Sequence, residues 1–196
     1  MKKFIKILLI IAVILVAAVF ILSLIGPKTY ELKRSALMKA PKESIWEQVS
    51  KWENFGNWSP WEAKDSAMTK TIEGTPGEVG SKYTWKSKTQ GNGVQTILES
   101  KPYEYRLSSL EFEDWGMKSK TSFELKDSAG GTFVTWKMFG ENGFMGRIMS
   151  LIFNMEKMVG PDYEAGLANI KRIVESAPAA APAEMPAENE KDSTKN

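Results

Sequence analysis

The 196-residue chain contains no cysteine and no histidine. The first absence excludes disulfides, thiol nucleophiles and cysteine-ligated metal. The second excludes imidazole ligands and every histidine-dependent triad. Any chemistry must therefore come from Asp, Glu, Lys, Arg, Tyr, Ser or Thr, and nothing calls for a metal or another cofactor. Lack of cysteine leaves the compartment open, because reducing and oxidising spaces both tolerate it. An excess of one charge is missing too. The 26 basic and 24 acidic residues leave a net charge of +2, so no basic field points to nucleic acid, and that partner is set aside.

One long hydrophobic run is present. Phe4 to Ile25 reads FIKILLIIAVILVAAVFILSLI, with no polar residue between Ile7 and Leu22. At about 1.5 Å per residue it spans roughly 33 Å, enough for the hydrocarbon core of a bilayer. Lys6 lies one turn inside the end, where its stem reaches the interface. The run is longer than the apolar region of a signal peptide, and no small-x-small site follows it, since the chain continues Leu24-Ile25-Gly26-Pro27. It reads as an uncleaved single-pass anchor. Lys2, Lys3 and Lys6 precede it and Lys28, Lys33 and Arg34 follow, so the charge balance is nearly even. The short basic N-terminus favours a cytoplasmic start and a domain on the extracytoplasmic side. The expected organisation is a basic N-terminus over residues 1–3, a transmembrane anchor over 4–25, a juxtamembrane link over 26–29, one domain over 30–176 and an Ala/Pro-rich polar tail over 177–196. The tail is expected to be disordered because it has too little to bury.

Within the domain, Thr29 to Met38 alternates. Tyr30, Leu32, Ala36 and Met38 share one face, as expected of a half-buried strand. Ala40-Pro41 opens a helix whose apolar stripe is Ile45, Val49 and Trp52. Glu53 to Trp61 (ENFGNWSPW) reads as an aromatic, turn-forming closure of this unit. Six further strands are expected at Met68–Glu73, Ser81–Lys88, Gly93–Lys101, Tyr105–Phe112, Lys118–Lys126 and Thr132–Phe139. The Gly-, Pro- and Asn-rich turns between them imply an antiparallel meander. In the fourth of these the alternation slips, because Leu107 and Leu110 share a face only if a bulge intervenes. Phe144 to Val159 is dense in Met, Ile, Leu and Phe. Pro161 to Glu175 is the best helix, with Tyr163, Leu167, Ile170 and Val174 on one face. The fold class is α+β: about seven curved antiparallel strands around a long C-terminal helix, plus the anchor.

This order of elements resembles the helix-grip superfamily of START lipid-transfer domains, the birch-pollen allergen and polyketide cyclases (SRPBCC). More closely, it resembles the bacterial membrane-anchored members of polyketide cyclase/dehydrase type. Three stretches carry the likeness. The first is Ala40-Pro41 with Ile45-Trp46 and Asn54-Phe55-Gly56-Asn57-Trp58-Ser59-Pro60-Trp61. The second is Thr96-Ile97-Leu98-Glu99-Ser100-Lys101-Pro102. The third is Met155-Glu156-Lys157-Met158-Val159-Gly160-Pro161-Asp162-Tyr163 with Gly166-Leu167-Ala168-Asn169-Ile170-Lys171. The resemblance covers roughly residues 28–175 and implies a cavity that takes lipids, hormones, polyketides or other hydrophobes. A shared fold assigns no reaction.

The expected partner is thus a hydrophobic small molecule or lipid, held between sheet and last helix and oriented by a few polar groups. The residues expected to line the cavity are Trp85, Leu107, Phe123 and Trp136 from the strands, with Met149, Phe153, Tyr163 and Leu167 from the helical side. Trp61 is a further candidate, in a Trp58-Ser59-Pro60-Trp61 segment that reads first as a rigid aromatic corner. Met145, Met149, Met155 and Met158 give Phe144–Met158 the adaptable surface of a cover or of a segment pressed on the bilayer. No residue is assigned a catalytic role: Glu99, Arg106, Glu111, Glu113 and Asp114 read as a solvated face. Two rival readings stand beside the binding module. One is a cyclase or dehydratase using Glu99 and Arg106, and the other is a structural envelope protein with a filled core.

Overall fold

A computed structural model describes residues 2–176, and the tail expected to be disordered over 177–196 lies outside the described residues. The apolar run forms helix α1 (Lys2–Ile25), exposed along nearly its whole length and long and apolar enough to cross a membrane. Pro27, which has no N–H to continue a helix, helps to end it. The link is only three residues long, because strand β1 (Thr29–Met38) starts at once. Two hydrogen bonds close it. The Asn142 side chain donates to the Pro27 carbonyl at 3.0 Å, and the Asn142 backbone N–H donates to the Lys28 carbonyl at 2.8 Å.

Helix α2 (Lys42–Ser50) follows, with Pro41 at its N-cap and Ile45, Trp46 and Val49 buried. The stretch read as a turn is instead helical: a 3-10 turn at Trp52–Asn54, then α3 (Phe55–Trp58) and α4 (Pro60–Lys64). Trp52, Phe55, Trp58 and Trp61 recur every three residues, and only helical turns place such a series on one side. The strands are β2 (Thr69–Glu73), β3 (Lys82–Lys86), β4 (Gly93–Lys101), β5 (Tyr105–Phe112), β6 (Met117–Ser128) and β7 (Gly131–Glu141). They make one antiparallel sheet in the order β1-β7-β6-β5-β4-β3-β2. The first strand therefore lies beside the last, and α2 to α4 carry the chain across the concave face to the far edge. Among the described strands the register breaks once, in β4 between Ile97 and Glu99, opposite Ser108 and Leu107.

After β7 come α5 (Phe144–Ile152), α6 (Met155–Met158) and α7 (Gly160–Ser176). The expected stripe of α7 is buried: Tyr163, Leu167, Ile170 and Val174 all face inward. Gly166 completes that face, because a Cβ there would sit 2.7 Å from Cζ3 of Trp136. Glycine thus allows the helix to lie flat on the indole. The architecture is the α+β arrangement expected, a bent seven-stranded sheet around a C-terminal helix.

A candidate ligand cavity beneath the sheet

The buried tryptophans do not fill the interior. A cavity of about 500 Å³ remains between the concave face of the sheet, the α2–α4 segment and the α6–α7 junction. Its floor is aromatic. Trp136 stacks on Tyr163 (centroids 3.9 Å apart, planes at 25°) and on Phe123 (4.9 Å, 18°). Trp58 meets both Phe123 and Trp136 edge-on, at 5.7 and 5.3 Å. Trp61 approaches Trp136 at 5.9 Å and Tyr163 at 6.0 Å. Offset and edge-on pairs of this kind fix rings in place, which makes the wall rigid rather than collapsible. The Trp136 indole N–H is spent on Thr121 Oγ1 at 2.9 Å. Met155, Met158 and Val159 close another side, and Met158, 61% exposed, marks the rim.

Among the expected cavity residues, Trp61, Trp85, Phe123, Trp136 and Tyr163 line this space. Four do not. Leu107 is on the outer face of the sheet, since the inward side of β5 is Arg106, Ser108 and Leu110. The alternation in β5 never slips; its inward face is polar at two positions, where an apolar wall was expected. Leu167 is buried but packs in the core beside the cavity rather than on its wall. Met149 and Phe153 are exposed, at 42% and 49%, because α5 turns away from the sheet and packs along α1. The covering role expected of the whole Phe144–Met158 stretch falls to α6 alone. Arg34 of β1 holds α6 and α7 down through Glu156 at 2.6 Å and Glu164 at 2.7 Å.

Glu99 pairs with Lys101 at 2.9 Å on the outer face and is 43% exposed at its side chain. Glu113 and Asp114 sit in the 3-10 turn between β5 and β6, where the Asp114 carboxylate accepts from the Asn92 backbone N–H and side-chain amide. The carboxylate that does reach the cavity is Glu62 of α4, which sequence reasoning passed over. It accepts from the Tyr83 hydroxyl at 2.7 Å and pairs with Lys70. Burial first, and then the bond to Glu62, push the Tyr83 phenol well above its usual range. The Tyr163 phenol is also raised, by burial above all.

Arg106 is the most unusual group on the wall. It is 3% exposed, donates from Nη1 to the Val49 carbonyl near the end of α2, and places its guanidinium 3.6 Å from the Trp52 ring centroid. No carboxylate pairs with it among the described residues. A charge-assisted hydrogen bond contributes about 1.5–3 kcal/mol and a desolvated cation–π contact about 2. The effective penalty for burying an ion is several kcal/mol. Burial pulls the Arg106 pKa down to about 9. The signal in the sequence was the period-two series Arg106, Ser108, Leu110, which hydrophobic patterning read as a slip that called for a bulge.

Residues 29–175 match the sequence profile of the family described as polyketide cyclase/dehydrase and lipid transport. The chain belongs to that family. Solved structures agree on the fold. The Aha1 dimer protein of Colwellia psychrerythraea is 17% identical with a TM-score of 0.53, the match covering 75% of this chain and 97% of that one. A Thermobifida fusca protein is 15% identical with a TM-score of 0.57, over 74% and 92%. A Bacillus halodurans protein is 16% identical with a TM-score of 0.54, over 76% and 100%. At these identities the likeness establishes the helix-grip fold and nothing finer. Among functionally curated proteins none matches the chain.

Proposed function

We propose that this family member is a membrane-tethered binding module that holds a hydrophobic small molecule or single-chain lipid between its sheet and C-terminal helix. One observation carries the reading: about 500 Å³ stays unfilled inside an aromatic shell, within the roughly 300–1,000 Å³ typical of ligand pockets. A rigid apolar void of that size costs the protein packing energy, which an apolar occupant restores by burial at about 25 cal/mol per Å². The family description, with its mention of lipid transport, supports the same reading. The filled-core alternative does not accommodate the void, and the cyclase alternative loses Glu99 to solvent.

Tethering is part of the proposal: residues 4–25 span the membrane, residues 30–176 form the binding domain, and the N-terminus stays on the cytoplasmic side. The exposed apolar side of α5, with Met145, Met149, Ile152 and Phe153, supports a domain resting on the bilayer surface. Phe20 of α1 meets Phe144 of α5, and Phe20 lies five residues before the end of α1. At 1.5 Å per residue that is about 7 Å, inside the roughly 5–10 Å depth at which interfacial helices bury.

The test is native mass spectrometry of the full chain, as purified and after delipidation and exposure to a bacterial lipid extract. A bound mass of small-molecule size is expected, and Ser108→Trp, which fills the cavity, should abolish it. A chain that stays empty under both conditions rules the reading out. Labelling of single introduced cysteines from outside intact cells checks the orientation, and a domain protected from an impermeant reagent contradicts it.

A further inference from the structure

Buried polar groups in native interiors are nearly always hydrogen-bonded. Among the described residues, four buried side-chain atoms have no partner: Gln48 Oε1, Trp52 Nε1, Ser59 Oγ and Arg106 Nε. Three of the four belong to residues that line the aromatic cavity. Trp52 Nε1 and Arg106 Nε are obligate donors, and Ser59 Oγ can donate as well. The cavity is therefore lined by residues whose donors, one of them on a cation, the interior leaves without an acceptor. Glu62, the acid on the same wall, does not answer them, since it is already paired with Lys70 and bonded to Tyr83.

We infer that the ligand is an amphiphile with an anionic head group, carboxylate or phosphate monoester, whose oxygens face the Arg106–Trp52–Ser59 side while its apolar body lies against Phe123, Trp136 and Tyr163. Resting on the binding reading above, this names the ligand class for that site. An anion in the cavity neutralises a guanidinium that no side chain pairs among the described residues. Arg suits this task because its guanidinium keeps charge-assisted donors beyond the one that Nη1 spends on Val49. The volume sets the size of the body. At about 30 Å³ per small group, the cavity holds on the order of 15 to 20 non-hydrogen atoms. That excludes a phospholipid with two long acyl chains and fits one chain or a few fused rings.

The experiment uses the full chain in phosphatidylcholine vesicles and three ligands with the same twelve-carbon chain, ending in carboxylate, phosphate monoester or alcohol. The change in emission of the cavity-lining tryptophans reads the binding. The anions should bind at least about tenfold more tightly than the alcohol, the ratio a charge-assisted hydrogen bond supplies. Which anion binds more tightly identifies the natural head group. Arg106→Met should bring the ratio to within about twofold while leaving the alcohol bound, as expected when the charge-assisted contact is lost. The wild-type ratio needs no variant, so a misfolded Arg106→Met does not spoil the test. An alcohol bound as tightly as both anions overturns the inference and leaves the cavity reading standing. Failure of all three probes to bind overturns both.

Discussion

The Phe20 and Phe144 rings meet with centroids 6.4 Å apart and planes at 42°, so α5 is fastened to the helix proposed to span the membrane. Asn142 reinforces the junction through its bonds to Pro27 and Lys28. On the proposed tethering, this junction holds the domain against the bilayer rather than on a flexible stalk. The cysteine-free chain makes this easy to check with single-cysteine labels. A polarity-sensitive fluorophore at Ile152→Cys should be quenched by lipid-borne quenchers. The same label at Asp127→Cys, exposed near the β6–β7 turn at the other end of the sheet, should not. Equal quenching at both sites contradicts the placement of α5.

Gly166 sets a conflict between helix propensity and packing. Alanine in a helix is favoured over glycine by about 1 kcal/mol. The added Cβ would meet Trp136, whose ring is fixed by stacking on both Phe123 and Tyr163. Overpacking of this kind costs about 1–3 kcal/mol, so Gly166→Ala should destabilise in net terms. Urea unfolding followed by tryptophan fluorescence measures it, and a more stable variant shows that the indole yields.

The Arg34–Glu156 pair ties the cavity cover, α6, to the edge strand β1. Glu156 is 53% exposed at its side chain, and pairs this open to solvent contribute about 0–1 kcal/mol. Glu156→Gln should leave the unfolding midpoint nearly unchanged. It should speed hydrogen exchange of the α6 amides (Met155–Met158) and release of the cavity ligand. A large loss of global stability without faster local exchange argues against this role.

Alkaline pH tests the aromatic wall. The Tyr83 and Tyr163 phenols are held protonated by burial, Tyr83 also by Glu62. Above about pH 10 the unfolded chain ionises them and the native state does not, so the native state binds more protons and stability falls as pH rises. Arg106 acts in the opposite direction. With its native pKa lowered to about 9 by burial, it leaves the unfolded state with more bound protons above that pH, and its contribution to stability rises there. Tyr83→Phe removes one phenol and keeps Arg106. Its stability should fall less steeply than that of the parent above pH 10, after a loss of about 1 kcal/mol at neutral pH for the missing hydrogen bond. Parallel curves for the two proteins contradict the assigned state of Tyr83.

Local and periodic features were legible in the residues themselves. The uninterrupted apolar run Ile7–Leu22 dictates a helix, because nothing else satisfies its backbone in lipid. Period-two alternation in Thr29–Met38, and the turn residues between later strands, define the meander. The four-three-four spacing from Tyr163 to Val174 defines the last helix and the face it buries. The three-residue spacing of Trp52, Phe55, Trp58 and Trp61 was equally present, but the Gly, Asn and Pro between them concealed it behind turn chemistry.

The inside of the cavity was decided by tertiary structure alone. Whether Arg106 or Leu107 faces inward depends on pairing with β4 and β6, and hydrophobic patterning favours the wrong one wherever a wall is polar by design. Met149 and Phe153 are as apolar as any core residue, yet α1, more than a hundred positions away in sequence, draws α5 to its side. That Glu62 and Arg106 line one hollow while Glu99 faces water reflects the curvature of the sheet and the path of α2–α4 across it. Such relations depend on contacts distant in sequence, and volume left empty leaves no mark on the order of residues.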